Sequence, residues 1–432
     1  MRTGQVGLIL ALTNGLDEKQ RATRQRRRNG TIPSFTTASA LLMLTLLGAC
    51  GVDREPTAPT VGEPSAASAR TLFRLASIDA GGFQTCGVTK GRPQTYCWGS
   101  DFSGELGNGP PLANTNVPSS LAGGVTFTQV SAGTGHSCGL TSEGKAYCWG
   151  GNSDGQLGTG APFGSIGTAP APVAGGFTFT QLSAGGRHTC GLNVSGQAYC
   201  WGSDLFGQLG NGAASARVNT PSSVAGGLTF TQISTGLIDT CAITQAGKAY
   251  CWGSDFFGEL GNGFPQAQTS APSPVSGGLV FMQVSAGSSQ TCGVTTRGQA
   301  YCWGLNANGQ LGTGVLSGSN VPSPVAGGLT FIQVSVGSNH SCGVTRRGEA
   351  YCWGLDNFGQ LGNGSPLVDV NAPSLVAGGL RFITVTAGLF HTCGITRGGR
   401  QAYCWGLGNS GELGNGVSGS MAAPSPVSAP VP

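Results

Sequence analysis

Fifteen cysteines are the residues of this chain with the most chemistry to offer, and fourteen of them fall into seven pairs. The pairs are Cys86 with Cys97, Cys138 with Cys148, Cys190 with Cys200, Cys241 with Cys251, Cys292 with Cys302, Cys342 with Cys352 and Cys393 with Cys404. Paired cysteines can be disulfides, buried free thiols or metal ligands. Structural zinc wants short chelating spacings such as C-x₂-C, and none occurs. The four histidines, His136, His188, His340 and His391, occupy one repeated position, which Gln84, Asp239 and Gln290 fill in the other copies. That interchange suits a repeated structural hydrogen bond better than catalysis. Asp101, Asp204, Asp255 and Asp356 sit in turns, where side-chain capping explains them, and they lack the dense acidic spacing of a calcium loop. No nucleophile–base pair and no phosphate loop is present, so we expect no catalytic residue, no metal and no cofactor.

The elements that position these residues are read from the repeat. A Tyr-Cys-Trp-Gly tetrapeptide recurs seven times, with tryptophans at Trp98, Trp149, Trp201, Trp252, Trp303, Trp353 and Trp405, and all seven Trp and all seven Tyr of the chain belong to it. A fixed period near 50 residues means stacked units or propeller blades. With 77 Gly and 9% charged residues, the composition is that of a turn-dense β array. In the second copy, Phe127–Gly133 and His136–Thr141 alternate as strands, and Lys145–Gly150 pairs back across Ser142-Glu143-Gly144. A three-residue hairpin loop needs φ > 0 at its glycine, and the same glycine recurs at Gly196, Gly247, Gly298 and Gly348. Centring the hairpin on Glu143 sets Cys138 opposite Cys148, near disulfide reach. Disulfides in turn imply an oxidising compartment. A Pro-bearing stretch such as Pro322–Val325 suits an edge strand, and a Leu repeated from Leu106 to Leu413 suits a plug between blades. Four short strands per copy make one blade.

The motifs Gly-x-x-His-[Ser/Thr]-Cys-Gly-[Val/Leu/Ile]-Thr, Tyr-Cys-Trp-Gly and Gly-[Gln/Glu]-Leu-Gly-[Asn/Thr]-Gly resemble the regulator of chromosome condensation repeat. The resemblance covers residues 71–432 and implies an all-β fold, a seven-bladed β-propeller of about 51-residue repeats. The family's functions include nuclear nucleotide exchange with chromatin binding, ultraviolet-B photoreception and β-lactamase inhibition by a secreted bacterial protein. Residues 71–432 hold thirteen Lys or Arg and thirteen Asp or Glu, and nucleic-acid binding needs a basic patch on the folded domain; no nucleic-acid partner is expected. Photoreception through clustered extra tryptophans is not expected either, because every Trp sits in the structural tetrapeptide. The β-lactamase inhibitor is similar in compartment and blade number, and it presents one propeller face to a protein.

The N-terminus reads differently. A basic cluster from Arg21 to Arg28 precedes an apolar run from Ala38 to Ala49, which is a signal-peptide layout. The run ends Leu47-Gly48-Ala49-Cys50, which resembles the lipobox of bacterial lipoproteins, and lipidation would account for Cys50 as the one unpaired cysteine. The expected organisation is a lipoprotein-type signal peptide at 1–49, a lipid-anchored Pro/Ala/Ser/Thr-rich tether at 50–70 and the propeller at 71–432. Gly51 is not the Asp that commonly retains such lipoproteins in the inner membrane, so the expected location is the bacterial cell envelope, with the outer membrane favoured. Membrane contact is expected through the lipid anchor alone.

Seven internal copies also show where the chain varies. The two residues after Ala-Gly diverge most, and Leu237, Ile238, Leu389, Phe390, Arg187 and Phe83 stand there as candidate interaction residues. Rigid scaffolds carry recognition on such loops. The expectation is a monomeric, non-catalytic scaffold for a protein partner, with polysaccharide binding or a hydrolase site at the central channel mouth as alternatives.

Overall fold

The alternation of each repeat resolves into four antiparallel strands. In the first, β1 (Leu75–Ala80), β2 (Gln84–Thr89), β3 (Thr95–Gly99) and β4 (Thr115–Ser120) lie side by side in chain order. Seven such sheets succeed one another, and the first strand of each packs on the first strand of the next, with the seventh returning to β1. This computed structural model, which describes residues 73–213, 216–264, 268–364 and 367–430, is a seven-bladed β-propeller. The expected signal peptide, Cys50 and tether lie outside the described residues.

The hairpin register is as the repeat predicts. Cys138 pairs with Cys148 and Tyr147 with Gly139. All seven cysteine pairs close as disulfides across this position, with Cα atoms 4.0–4.1 Å apart. Each closes a loop of about ten residues, worth up to ~2.5 kcal/mol by chain entropy. Gly144 takes φ 76° in the turn, a region that costs an L side chain strain.

Blades are joined by a repeated clasp. The indole N–H of Trp149 donates to the Glu105 carbonyl of the preceding blade at 2.9 Å, and the Ser137 hydroxyl donates to the same oxygen at 3.0 Å. The Leu that follows that turn residue fills the seam: Leu157 is buried with Cys138 and Cys148 of its own blade and with Phe179 and Trp201 of the next. Gly158 then passes the indole at φ 67°, where a Cβ would stand 2.5 Å from Trp201 Nε1. Around the channel, a hydroxyl near the end of the first strand accepts the main-chain N–H of the next blade in six of the seven blades, as Ser131 does from Ala184 at 3.0 Å and Ser335 from Ala387 at 2.9 Å. Five seams add an amide clamp, in which both ends of Gln129, Gln181, Gln232, Gln283 or Gln333 bond one residue of the next blade.

Ring closure exchanges no strand: blade 1 begins the described chain and blade 7, ending in Met421–Pro426, completes it. Blades 7 and 1 carry Thr384 and Ser77 where the others carry the clamping Gln. Asp79 compensates. Its carboxylate accepts from the Thr386 hydroxyl at 2.8 Å, the Ala132 N–H at 2.9 Å and the Ser131 hydroxyl at 3.2 Å, tying blade 1 to both neighbours. The clasp is kept, with Trp98 donating to the Glu412 carbonyl at 2.9 Å, and Leu75 and Trp98 share a core with Ile395 and Leu413. Leu75, where the later repeats carry Phe, and Asp79, where they carry Ser or Thr, thus both serve the closing seam.

Candidate interaction surface

Antiparallel order gives the ring two unlike faces. The turn between first and second strands and the long loop between third and fourth strands emerge on one, called here the loop face. The disulfide-closed hairpin turn and the blade-to-blade connection emerge on the other, the hairpin face.

All six candidate residues lie on the loop face. Phe83 is in blade 1, Arg187 in blade 3, Leu237 and Ile238 in blade 4, and Leu389 and Phe390 in blade 7, each in the turn between first and second strands. The structure brings part of the set together: the rings of Phe83 and Phe390 lie 6.1 Å apart across the closing seam, and Phe358 of blade 6 packs edge-on to Phe390 at 5.6 Å. Ile238 belongs to a second group, while Leu237 lines the central channel mouth together with Leu389. Ile238 accepts a main-chain bond from Ser254, which leads into Phe256, and Phe256 meets Phe206 of blade 3 at 5.5 Å. Arg187 is held against Asp154 at 3.4 Å and stands apart from both groups.

Sequence reasoning missed the other half of this surface. Phe102, Leu205, Phe206, Phe256, Phe257 and Phe358 precede the Gly-[Gln/Glu]-Leu-Gly turn, and Phe102 is 88% exposed. The signal was legible. The turn's polar residues are turned inward as caps: Asp204 Oδ1 accepts from Leu209 N at 3.0 Å, and a Glu259 carboxylate oxygen accepts from Phe257 N at 2.7 Å. Their neighbours Phe102, Leu205, Phe256 and Phe257 are left exposed, with Phe206 and Phe358 half-buried.

The channel mouth opens at the centre of the loop face as a cavity of about 150 Å³, lined by glycine backbone, serine and threonine hydroxyls and Asp79. Among the described residues Asp79 is the one carboxyl or imidazole lining it. Burial pushes its carboxyl above the ordinary value against the hydrogen bonds that favour the ion. The hydrolase alternative needed several converging acids or histidines, and the mouth does not bring them together.

The histidines are instead sealed between blades. His136 Nε2 meets Thr189 Oγ1 of the next blade at 2.8 Å, and that hydroxyl donates to the Gln156 carbonyl at 2.8 Å. The imidazole must therefore donate, which fixes the neutral Nε2–H tautomer. His188, His340 and His391 repeat the arrangement at 2.8–2.9 Å. Burial holds these rings neutral, lowering His136 and His391 to about 4 and His188 and His340 to about 3. Gln84 and Gln290 fill the slot as donors to glycine carbonyls of the next blade. The slot is thus narrower than the sequence suggests: it wants a donor. Asp239 is the exception, both carboxyl oxygens lacking a hydrogen-bond partner, and burial beside Glu259 and Asp255 pushes it well above the ordinary value. No group of three metal-ligating side chains occurs among the described residues.

A family profile described as the RCC1-like domain matches residues 94–431. The chain belongs to this family. RCC1-like relatives include the ultraviolet-B receptor UVR8 of Arabidopsis thaliana, 30% identical over 255 residues, which are 58% of this chain and 58% of that protein. The human E3 ubiquitin-protein ligase HERC2 is 29% identical over 343 residues, 76% of this chain but 7% of its own length. This chain therefore spans about half of one such relative and a small part of the other. Among solved structures, human WBSCR16 superposes with a TM-score of 0.69 at 23% identity, covering 75% of this chain and 87% of its own. Prp20p of Saccharomyces cerevisiae, described with its binding properties to Gsp1p and histones, gives 0.67 at 21%, covering 82% and 87%. At these identities the structural likeness speaks for the RCC1-like fold alone.

Proposed function

We propose that this RCC1-like propeller is a non-catalytic scaffold that recognises a protein through its loop face, displayed at a bacterial cell envelope by a lipid on Cys50. The observation that carries the reading is a surface aromatic cluster, in which Phe83 and Phe256 are exposed and Phe206, Phe358 and Phe390 are half-buried. Phe358, Phe390 and Phe83 join three blades, and Phe206 and Phe256 join two more, on a frame held rigid by seven disulfides. Rigid, two-torsion aromatics at the centre of a surface are the groups that carry binding energy in protein interfaces. Protein ligands named for yeast Prp20p, which shares the fold, agree with it. The envelope setting rests on the signal-peptide layout, the lipobox-like Leu47–Cys50 and the disulfide framework, which belongs to oxidising compartments.

The test is the pair Leu389→Asp with Phe390→Asp, compared with Lys145→Glu on the opposite face. Loss of partner capture in the first, with unchanged thermal unfolding, and retention in the second supports the reading. Unchanged capture in the first removes this surface from consideration.

A further inference from the structure

We propose that the hairpin face of blades 6, 7 and 1 is a docking surface for anionic phospholipid headgroups, on which the propeller lies face-down. The choice of a membrane as occupant rests on the envelope reading above; the charge pattern that carries the proposal does not.

Net charge conceals that pattern. Residues 71–432 balance at thirteen cations and thirteen acids, yet eleven of the cations lie on the hairpin face, with Glu143 and Glu349 as its acids. The other eleven acids lie on or towards the loop face with Arg187 and Arg217. Eight of the eleven cations are gathered in three consecutive blades. Arg346 and Arg347 come from blade 6. Arg381, Arg397 and Arg400 come from blade 7, and Arg74, Lys90 and Arg92 from blade 1. Contacts across the seams make them one arc: Arg397 Nη2 donates to the Arg346 carbonyl at 2.8 Å, Arg74 bridges to Gln401, and the Lys90 N–H donates to the Arg74 carbonyl at 3.0 Å. All but Arg400 are exposed.

The fold does not require these charges. The equivalent hairpin of blade 3, Asn193-Val194-Ser195-Gly196-Gln197, closes with no ionic residue, using Asn193 Oδ1 to accept from Ser195 and Gln197. In blade 2 the cation is matched, with Lys145 on Glu143 at 2.9 Å. In the arc one acid serves eight cations, Glu349 pairing with Arg381 at 2.7 Å. Seven of the eight are arginine, whose planar fork matches phosphate. An uncompensated, exposed cluster repels itself and is relieved by an extended anionic surface.

Position selects a lipid leaflet. Phe73 and Arg74, where the described chain begins, lie at this face, and Arg74 bonds across the arc. An acyl chain and a polybasic patch are together the two signals of stable membrane attachment, and the lipid proposed on Cys50 would supply the first. The same orientation leaves the loop face turned away from the bilayer and open to a partner.

The experiment uses the full chain carrying Cys50→Ala, so that vesicle binding reads the arc without the anchor. Co-sedimentation is measured with phosphatidylcholine vesicles and with vesicles containing about a third phosphatidylglycerol, at about 50 mM and about 300 mM salt, where the screening length shortens about 2.4-fold. We expect binding to the anionic vesicles alone, falling about tenfold or more at the higher salt. Arg92→Glu with Arg347→Glu should lower it about tenfold further, since each reversal replaces attraction by repulsion. Lys145→Glu with Lys248→Glu, on the same face outside the arc, should change it less than about threefold. Thermal unfolding of both pairs confirms the fold. Equal binding to neutral vesicles, or no effect of the arc variant, overturns the proposal. Tighter binding to a short DNA duplex than to anionic vesicles at about 150 mM salt overturns it too, and gives the arc to nucleic acid. Partner capture by the loop face is read separately, so failure of either assignment leaves the other standing.

Discussion

The two faces of this propeller are cut from the same repeat and have opposite chemistry. The loop face carries aromatic tips, and most of its acids are buried as turn caps, Asp101, Asp204, Asp255 and Asp356 each at or below 1% exposed. The hairpin face carries exposed arginines, concentrated where the ring closes. Between them the walls are nearly invariant: the same disulfide, the same indole clasp and the same buried Leu recur in every blade. The difference teaches that in a repeat fold the walls are under a packing constraint that each neighbour imposes on the next, while the two ends of each strand are free to be written separately. Recognition is then expected at the ends, and damage to the walls should cost both faces at once.

The largest effect should therefore come from the wall. Trp98→Ala removes a fully buried indole and its bond to the Glu412 carbonyl at the closing seam, and should destabilise by about 3–5 kcal/mol. Denaturant unfolding measures it, and loop-face and hairpin-face binding should fall together. Charge reversal at Arg92 and Arg347 ranks next and should touch the hairpin face alone, lowering anionic vesicle binding about tenfold with partner capture unchanged.

Acid should act through the wall as well. The four histidines have folded values near 3–4, below the ordinary 6.5, so the unfolded chain binds more protons between those limits and stability falls as pH drops. Each histidine contributes about 1.4 kcal/mol per pH unit in that window. His391→Gln, a donor of the kind already present at Gln84, should leave stability at pH 7.5 little changed and flatten the acid limb. Asp239 runs the other way. Its carboxyl is raised, so its contribution is lost as pH rises through the folded value, and Asp239→His should restore the donor and raise stability at neutral pH by about 1 kcal/mol. The smallest effect is expected from Asp154→Asn, which weakens the long pair between half-buried Asp154 and exposed Arg187. It should change stability by less than about 0.5 kcal/mol.

The walls were legible in the sequence because seven copies average out everything that is not packing. The hairpin register followed from placing Glu143 at its centre, and the disulfides followed from the register. The closing seam was not legible, because Leu75 and Asp79 stand out from the other repeats but the bonds of Asp79 to both neighbouring blades are set by geometry alone. The loop face was half legible. Leu389 and Phe390 stood out by varying, whereas Phe358 and Phe256 hid inside a turn whose polar residues explained it. The arc at Arg346 to Arg92 was missed because summed charge has no geometry, although each of its residues lies either beside the hairpin glycine or in the connection before a first strand, positions that chain order assigns to one face.

The account rests on recognition by the loop face, and site-specific photo-crosslinking in intact envelopes tests that most directly. A photoreactive residue replacing Phe83 or Phe358 is compared with one replacing Lys248 on the opposite face. The account predicts a discrete protein adduct from both loop-face positions and none from Lys248. A protein adduct from Lys248 alone would contradict it.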